Sequence, residues 1–300
     1  MIQNNNLIND GNYKSNSSLI NSFTRENLGG YLKNIPLENK RVLTINSSGD
    51  DLLNTVFFGA KDVTLCNPNI NTKYYLYLKI AGLLSLNYNE FQWFFLKHNM
   101  NMHKNNRMFS KKLFKKIGPV LKIIDEDTYM FFEELFDINN PREVRDTYFT
   151  DSNYHNKAIK NFNIYLRNEN TYVKLKEMID KVNIDFINNS IIETNLDREY
   201  DRILLSTICT EMTLDKFLDL VKKLDKNLTS DGLIVLGYLW NNNIYTPEYA
   251  NVWKKIYQNP ESNKYLKKYL SYVYEVSGYI NYLWENNKRD DKVLVYRKNN

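Results

Sequence analysis

The stretch Lys40–Tyr75, KRVLTINSSGDDLLNTVFFGAKDVTLCNPNINTKYY, reads as strand, tight turn, helix, strand, and a polar turn into a second helix. Arg41–Asn46 (RVLTIN) is short, apolar and β-branched, the composition of a buried parallel strand. Ser47, Ser48, Gly49 and Asp50 supply the small residues that a sharp strand-to-helix turn needs. Gly49 can take a positive φ or admit a ligand to the backbone. From Asp51 to Phe58 the apolar residues Leu52, Leu53, Val56 and Phe57 recur at helical spacing, with Gly59 as the C′ residue. Asp62–Cys66 (DVTLC) is the second strand, and Asn67-Pro68-Asn69 follows at its carboxyl end.

A βαβ unit of this kind has two natural ligand positions. One is the turn after the first strand, where free N–H groups at a helix N-terminus attract polar or anionic groups. The candidates there are Asn46, Ser47, Ser48, Gly49 and Asp50. The other is the end of the second strand, here Asn67 and Asn69, whose side chains can reach ribose hydroxyls. The dinucleotide fingerprint needs three glycines, and Gly49 alone is present, so a pyrophosphate is a poor match. A nucleoside without phosphates demands less of the turn. A purely structural βαβ turn is an equal reading of the same residues.

At this stretch the sequence resembles the S-adenosylmethionine-binding, methyltransferase-like Rossmann proteins. Within them it resembles the branch related to the diacylglycerol 3-amino-3-carboxypropyl transferases of betaine-lipid synthesis. The residues that carry the resemblance are VLTINSSGDD, FFGAKDVTLCNPN and TKYYLYLKIAGLLSLNYNEF, with YDRILLSTI further on. It is strongest over residues 25–95 and 182–240. It implies a three-layer α/β fold, S-adenosylmethionine as cofactor, and the end of the strand VNIDFIN near the adenine, where Asn188 bonds the adenine edge or, as an equal reading, belongs to a simple turn. It also implies an acid at the end of the second strand to hold the ribose. Asn67 stands there instead, and an amide holds hydroxyls less strongly than a carboxylate. Ser206 and Thr207 end the strand DRILLST at the same crevice. The related lipid enzymes carry an acid near that place, and Glu211 is the nearest substitute in sequence.

The whole chain has 300 residues, enough for one sizeable core with a helical insertion. Hydrophobic content of 43% and charged content of 25% are globular values. The net charge of +5 is mild. Its densest basic group, Lys111, Lys112, Lys115 and Lys116, flanks Leu113, Phe114 and Ile117. That is the solvated side of a helix, or a contact for an anionic partner or membrane surface. The bias toward Asn, Lys, Tyr and Ile fits an AT-rich genome and is not read as function. Cys66 and Cys209 fall in or just after strands and read as small core residues in a reducing cytoplasm. His98, His103 and His155 lack a zinc-protease pattern, and no cysteine pair has metal spacing, so no metal is expected. Neither a signal peptide nor an apolar run of about 18 residues is visible, so a cytoplasmic chain without a transmembrane helix is expected.

In chain order, residues 1–19 are polar and Asn/Ser-rich, a flexible tail ahead of one cofactor-binding domain over 20–300. A short helix spans Phe23–Leu32, broken near Gly29-Gly30, with Tyr31 as a lid or a packing aromatic. Asn71 or Thr72 caps the helix after the second strand, whose buried stripe is Tyr75, Leu78, Leu83 and Leu86. In LNYNEFQWFF the aromatics read as a core helix, with Tyr88 and Glu90 facing a substrate pocket as the sharper alternative. Residues 96–178 form a helical insertion, because long structureless loops are rare in compact domains. Thr213 caps a helix carrying Phe217, Val221 and Leu224, and GLIVLGYLW is a strand. Residues 250–286 read as helix, and Lys292–Arg297 (KVLVYR) as a last antiparallel strand at an edge.

These elements make an α/β three-layer pattern. The expected function is an S-adenosylmethionine-dependent transferase acting on a small molecule or lipid headgroup. Aminocarboxypropyl transfer is favoured by the resemblance, and methyl transfer is the alternative. Both are in-line displacements that need positioning more than a catalytic motif, so no catalytic residue is singled out. A nucleic-acid acceptor is disfavoured by the lack of an N-P-P-Y-like motif. A binding or regulatory protein that kept the fold without the chemistry is the other class. Peripheral membrane contact through 111–123 and 264–274 is a third reading, and the residues set no oligomeric state.

Overall fold

The computed structural model describes residues 19–24, 26–96, 109–138, 148–150, 156–208, 212–239, 260–261, 265–277 and 292–299. The tail over 1–18, the three histidines, Cys209 and Glu211 lie outside them.

The strands that build the main sheet are β2 (Arg41–Ile45), β3 (Asp62–Cys66), β5 (Asn183–Ile187), β6 (Tyr200–Leu204), β7 (Leu228–Leu239), β8 (Leu270–Val276) and β9 (Lys292–Lys298). Two further short strands, β1 (Ile20–Asn21) and β4 (Phe149–Thr150), pair with each other. The main sheet runs β5-β3-β2-β6-β7-β9-β8, parallel from β5 to β7 and antiparallel on both sides of β9. Ranked within the sheet this is 3-2-1-4-5-7-6, the doubly wound Rossmann-like order with an antiparallel strand inserted before the last. The arrangement is the expected three-layer α/β fold with a mostly parallel sheet. Two local expectations are corrected. KVLVYR is antiparallel, but it lies inside the sheet with β8 as the edge. Residues 270–276, expected to be helical, form β8.

The inner parallel strands β2, β3, β6 and β7 are buried on both faces, and their alternating residues enter different cores, whereas the edge strand β5 stays partly exposed. Val42, Val63, Leu204 and Val235 meet Leu28 of α1 (Leu28–Tyr31), Leu53 of α2 (Asp50–Phe57), Leu76 of α3 (Ile70–Ser85) and nearby aromatics. Leu43, Cys66, Ile203 and Ile234 meet Phe217, Val221 and Leu224, which sit on a single helix, Leu214–Asp225. Gly29 and Gly30 lie within α1 rather than breaking it. The cap of α3 is Asn69, whose side chain accepts from the Asn71 amide at 3.0 Å, in place of Asn71 or Thr72.

Between β3 and β5 the described residues are mainly helical, with α4 (Tyr88–Phe95), α5 (Lys111–Ile124), α6 (Glu126–Ile138), α7 (Asn156–Phe162) and α8 (Glu169–Ile179) following α3. Phe91, Phe94 and Phe95 of α4 are fully buried. Glu90 completes a capping box with Asn87 and pairs with Lys116, and the Tyr88 hydroxyl donates to the Leu166 carbonyl at 2.8 Å. Both side chains therefore serve packing and capping. On α5, Lys111, Lys112, Lys115 and Lys116 are exposed while Phe114, Ile117 and Leu121 are buried, the pattern of a solvated helix face. The segment between these helices also enters the core. Asn54 of α2 donates to the Asn163 side chain at 2.8 Å and accepts from the Ile164 amide at 2.9 Å. This places Tyr165 against the start of α2. No helix among the described residues is long and apolar enough to cross a membrane.

Candidate functional site

The register brings residues remote in sequence into one row. Ile45, Cys66 and Ile187 are mutual partners across β2, β3 and β5, so Asn46, Asn67 and Asn188 stand side by side just beyond the strand ends. Thr44 is paired with Leu204, which places Ser206 next to Asn46 on the other side. The row Asn188–Asn67–Asn46–Ser206 thus crosses the point where the winding of the sheet reverses, the usual crevice of such folds.

The three amides close the strand ends by a shared device. Asn188, oriented with its nitrogen inward, donates to the carbonyls of Asn67 and Pro68, both at 3.2 Å. The Asn67 amide donates to the Asn46 carbonyl. Asn46 is fully buried and donates to the Thr72 carbonyl at 3.2 Å while accepting from the Gly49 amide at 2.8 Å. Asn67 also accepts from the Asn69 amide at 2.8 Å. Asn67 is half-buried and Asn188 exposed, and each side chain keeps hydrogen-bond capacity beyond the bonds just described.

The turn itself is filled from within. Gly49 has φ +82°, and a Cβ there would lie 3.1 Å from Leu76 Cδ1 and 3.2 Å from Leu76 Cα. The close approach it permits is therefore to α3. Gly49→Val should cost about 1–3 kcal/mol from the left-handed backbone alone, with the clash added. Urea denaturation would measure it, and an unchanged midpoint would refute the account.

Ser48 and Asp50 are fully buried. The Asp50 carboxylate accepts from four separate segments: the Thr24 amide (2.6 Å), Ser48 Oγ (3.0 Å), Lys79 Nζ (2.7 Å) and the Tyr165 hydroxyl (2.8 Å). Lys79 is fully buried too, with its Nζ 4.1 Å from the Phe23 ring centre and 4.9 Å from that of Tyr75. Burial pulls the Lys79 ammonium down from its ordinary range, and Asp50 acts against that pull. The same burial raises the Tyr165 and Tyr75 hydroxyls well above theirs. Asp51, at the first turn of α2, is pushed up to about 7 by burial and then by its neighbour Asp50. Its carboxylate accepts weakly from the Ser47 amide at 3.4 Å.

Opposite the turn, Ser206 is half-buried and adopts φ +50°, unusual for a residue with a side chain. Its hydroxyl donates to Glu26 Oε1. Glu26 comes from the segment before α1, is 5% exposed, and also accepts from the Tyr31 hydroxyl at 3.4 Å. Thr207 follows, half-buried, at the same edge.

Of the sequence candidates, Asn46, Ser47, Ser48, Gly49, Asp50, Asn67, Asn69, Asn188, Ser206 and Thr207 all fall at this edge. Their roles there differ. Asn46, Ser48 and Asp50 point into the protein, whereas Ser47, Asn67, Asn188, Ser206 and Thr207 keep some exposure. Sequence reading missed Lys79, Asp51, Tyr165 and Glu26. Lys79 did leave a signal, since it sits on the apolar stripe midway between Tyr75 and Leu83. Tyr165 and Glu26 reach the site through contacts 115 and 180 residues long, which no local pattern announces.

No family model matches the sequence, and no curated protein matches it. Several solved structures are similar in fold. The N-methyltransferase NodS from Bradyrhizobium japonicum WM9, in complex with S-adenosyl-L-homocysteine, shares 11% identity over 43% of this chain and 63% of its own, with a TM-score of 0.29. The chain thus spans less than two thirds of that relative. The glycopeptide N-methyltransferase MtfA, complexed with S-adenosyl-L-homocysteine, shares 6% identity over 98% and 94% of the two chains, with a TM-score of 0.42. A TehB-like S-adenosylmethionine-dependent methyltransferase from Corynebacterium glutamicum shares 7% over 91% and 88%, with a TM-score of 0.38.

Proposed function

We propose that this protein is an S-adenosylmethionine-dependent transferase acting on a small molecule, with methyl transfer as the leading reaction. The observation that carries the reading is the polar row Asn188–Asn67–Asn46–Ser206 at the winding switch, flanked by the carboxylates of Asp51 and Glu26. A phosphate ligand would call for cationic or bare N–H groups. The cation that does touch the turn, Lys79, is buried and committed to Asp50. Carboxylates and amides suit a ligand that carries positive charge and hydroxyls.

S-adenosylmethionine has that character, and when bound it supplies a carbon made electrophilic by its sulfonium. Asn67 would take the ribose hydroxyls with its second amide hydrogen and second lone pair, and Asn188 the adenine edge. The backbone of Ser47 and the carboxylate of Asp51 would face the positively charged end. The Asp50–Lys79–Tyr165 network holds the turn so that these groups are already oriented, which lowers the ordering cost of binding.

A second reading, 3-amino-3-carboxypropyl transfer, is favoured by the resemblance of VLTINSSGDD and FFGAKDVTLCNPN to that branch. Calorimetric titration with S-adenosylmethionine, S-adenosylhomocysteine and methylthioadenosine separates the cases. Micromolar binding is expected. Preference for S-adenosylhomocysteine supports methyl transfer, and preference for methylthioadenosine supports aminocarboxypropyl transfer. If none of the three binds, the transferase reading falls and a binding protein of the same fold replaces it.

A further inference from the structure

Together α5 and α6 present a surface that neither helix shows alone. Asp125 is the single residue between them, and they return antiparallel, with the Phe114 and Phe136 rings stacked 4.5 Å apart. The exposed charges of α5 are Lys111, Lys112, Lys115, Lys116 and Lys122. Those of α6 are all acidic: Glu126, Asp127, Glu134 and Asp137. At 3.6 residues per turn, each set falls on one face of its helix. The two faces adjoin at both ends of the hairpin. Lys111 Nζ donates to the Asp137 carbonyl at 3.5 Å, and Lys122 Nζ lies 3.5 Å from Glu126 Oε1. Among the described residues, Lys112, Lys115, Asp127, Glu134 and the Asp137 carboxylate make no ion pair. The same surface carries Ile123, 86% exposed, and Met130, 53% exposed.

Charge balance selects what fits this surface. Residues 111–138 hold five lysines and six carboxylates, so the hairpin has no net positive charge to offer a membrane or a nucleic acid. Packed helices lie about 8–10 Å apart, close to the Debye length of about 8 Å at physiological salt. A flat anionic surface therefore meets both strips at once, and attraction to one is offset by repulsion from the other. A partner gains only if it brings acids to the lysines and lysines to the acids, at the same spacing. The same hairpin on a second copy does both.

We infer that the α5–α6 hairpin is a self-complementary docking surface for a second copy of this chain. A two-fold axis along the seam, parallel to the helices, lays each α5 against α6 of the other copy, as an isologous interface requires. Because the hairpin doubles back at Asp125, the levels match. Lys112 and Lys115 come opposite Glu134 and Asp137 of the partner subunit. Lys122 comes opposite Glu126 and Asp127 of the partner subunit, with Ile123 and Met130 adding apolar surface at that end. Asp125 accepts from Lys73 Nζ at 2.9 Å, which mounts the hairpin on the first turn of α3, the helix that leaves the crevice. Helices of 14 and 13 residues make a patch of about 20 Å by 20 Å. That is small beside the roughly 800 Å² each partner of a stable complex buries, so the dimer is weak. Its dissociation constant is on the order of 10–100 µM at low salt.

The test is sedimentation velocity of the full chain from about 5 to about 500 µM, at low salt and at about 0.5 M NaCl. The wild type should dimerise with concentration at low salt and weaken about 10-fold or more at high salt. Lys112→Glu with Lys115→Glu makes both strips acidic, and Glu134→Lys with Asp137→Lys makes both basic. Each double variant alone should weaken the dimer about 10-fold or more, because like charges then face each other. Mixed one to one, the two should form a heterodimer comparable to the wild-type dimer. The chain carrying all four substitutions should dimerise again. The reversed charges stand at helix ends whose own dipoles favour them, so the fold should hold, and a thermal melt of each variant verifies it. A wild type that stays monomeric over the whole range overturns the inference. A dimer indifferent to salt and to both reversals also overturns it, because the contact then lies elsewhere. Failure of the mixture to recover the dimer removes the self-complementary pairing. Flotation of a monomeric wild type with phosphatidylserine vesicles, lost in Lys112→Glu with Lys115→Glu, overturns it in favour of a membrane contact.

Discussion

Asp50→Ala should destabilise the protein by about 3–5 kcal/mol, because it leaves the Lys79 ammonium buried without its counter-charge. Total stabilities of domains are of order 5–15 kcal/mol, so this is a large share. Both members of the pair are fully buried, with Nζ and Oδ1 2.7 Å apart. The Phe23 and Tyr75 rings near Nζ offset only part of the lost attraction. The carboxylate also joins four chain segments, so its removal unties Thr24, Ser48 and Tyr165 together. The pair itself need not be a net stabiliser, since its desolvation cost is high. Asp50→Leu with Lys79→Met should therefore recover the part of the loss that comes from the unpaired ammonium, while the Thr24, Ser48 and Tyr165 donors stay without their acceptor. Urea denaturation of Asp50→Leu, Lys79→Met and the double forms a cycle that isolates the coupling. A single Asp50→Ala loss below about 1 kcal/mol, or strict additivity in the double, would refute the buried-pair account. Hydrogen exchange should speed up at residues 20–34 in Asp50→Ala, since the Thr24 amide loses its acceptor.

What the sequence disclosed about this site follows from the range of the interactions. The β2–α2–β3 unit was legible because its signals are local: β-branched runs, one glycine at the turn, and a 3.6-residue period. The asparagines were legible one at a time as strand-end residues. Their alignment into a row depends on sheet register, which the sequence encodes only through tertiary pairing. Ser48 and Asp50 were legible as turn residues, but not that they face inward, because Lys79 and Tyr165 decide that. The helix expected over 250–286 fails at β8 for a similar reason. In KYLKKYLSYVYEV the Tyr and Lys spacing follows a helix as readily as an edge strand, and pairing with β9 settles it. Glu26 sits in a segment whose local pattern shows only a short helix. Its place at the end of β6 is a matter of how the chain before β2 packs over the sheet.

Between pH 5 and pH 8, Asp51 should cost the wild-type protein about 3 kcal/mol of stability relative to Asp51→Asn. In the folded protein its carboxyl holds a proton up to about 7, against 3.8 ordinarily, because burial disfavours the charge and Asp50 lies beside it. Between those values the folded state binds a proton that the unfolded chain has released, so stability falls as pH rises. The contribution is fully present below the unfolded value near 3.8 and gone above about 7. Asp125 and Glu90 are held low by hydrogen bonds and ion pairs and act in the opposite sense, losing their contribution in acid. The difference between wild type and Asp51→Asn cancels them. Its slope should be steepest between pH 5 and pH 7, and a flat difference across that range would refute the assignment. The same carboxyl links stability to ligand. A cationic group bound at the turn stabilises the ionised form of Asp51, so binding should release a proton at pH 6 and grow tighter toward pH 8. Calorimetry of S-adenosylmethionine in two buffers of different ionisation enthalpy would read that proton directly. A dinucleotide or phosphate at the same turn would do the reverse, drawing a proton onto Asp51, so the sign of the proton exchange reports the charge of whatever the crevice holds.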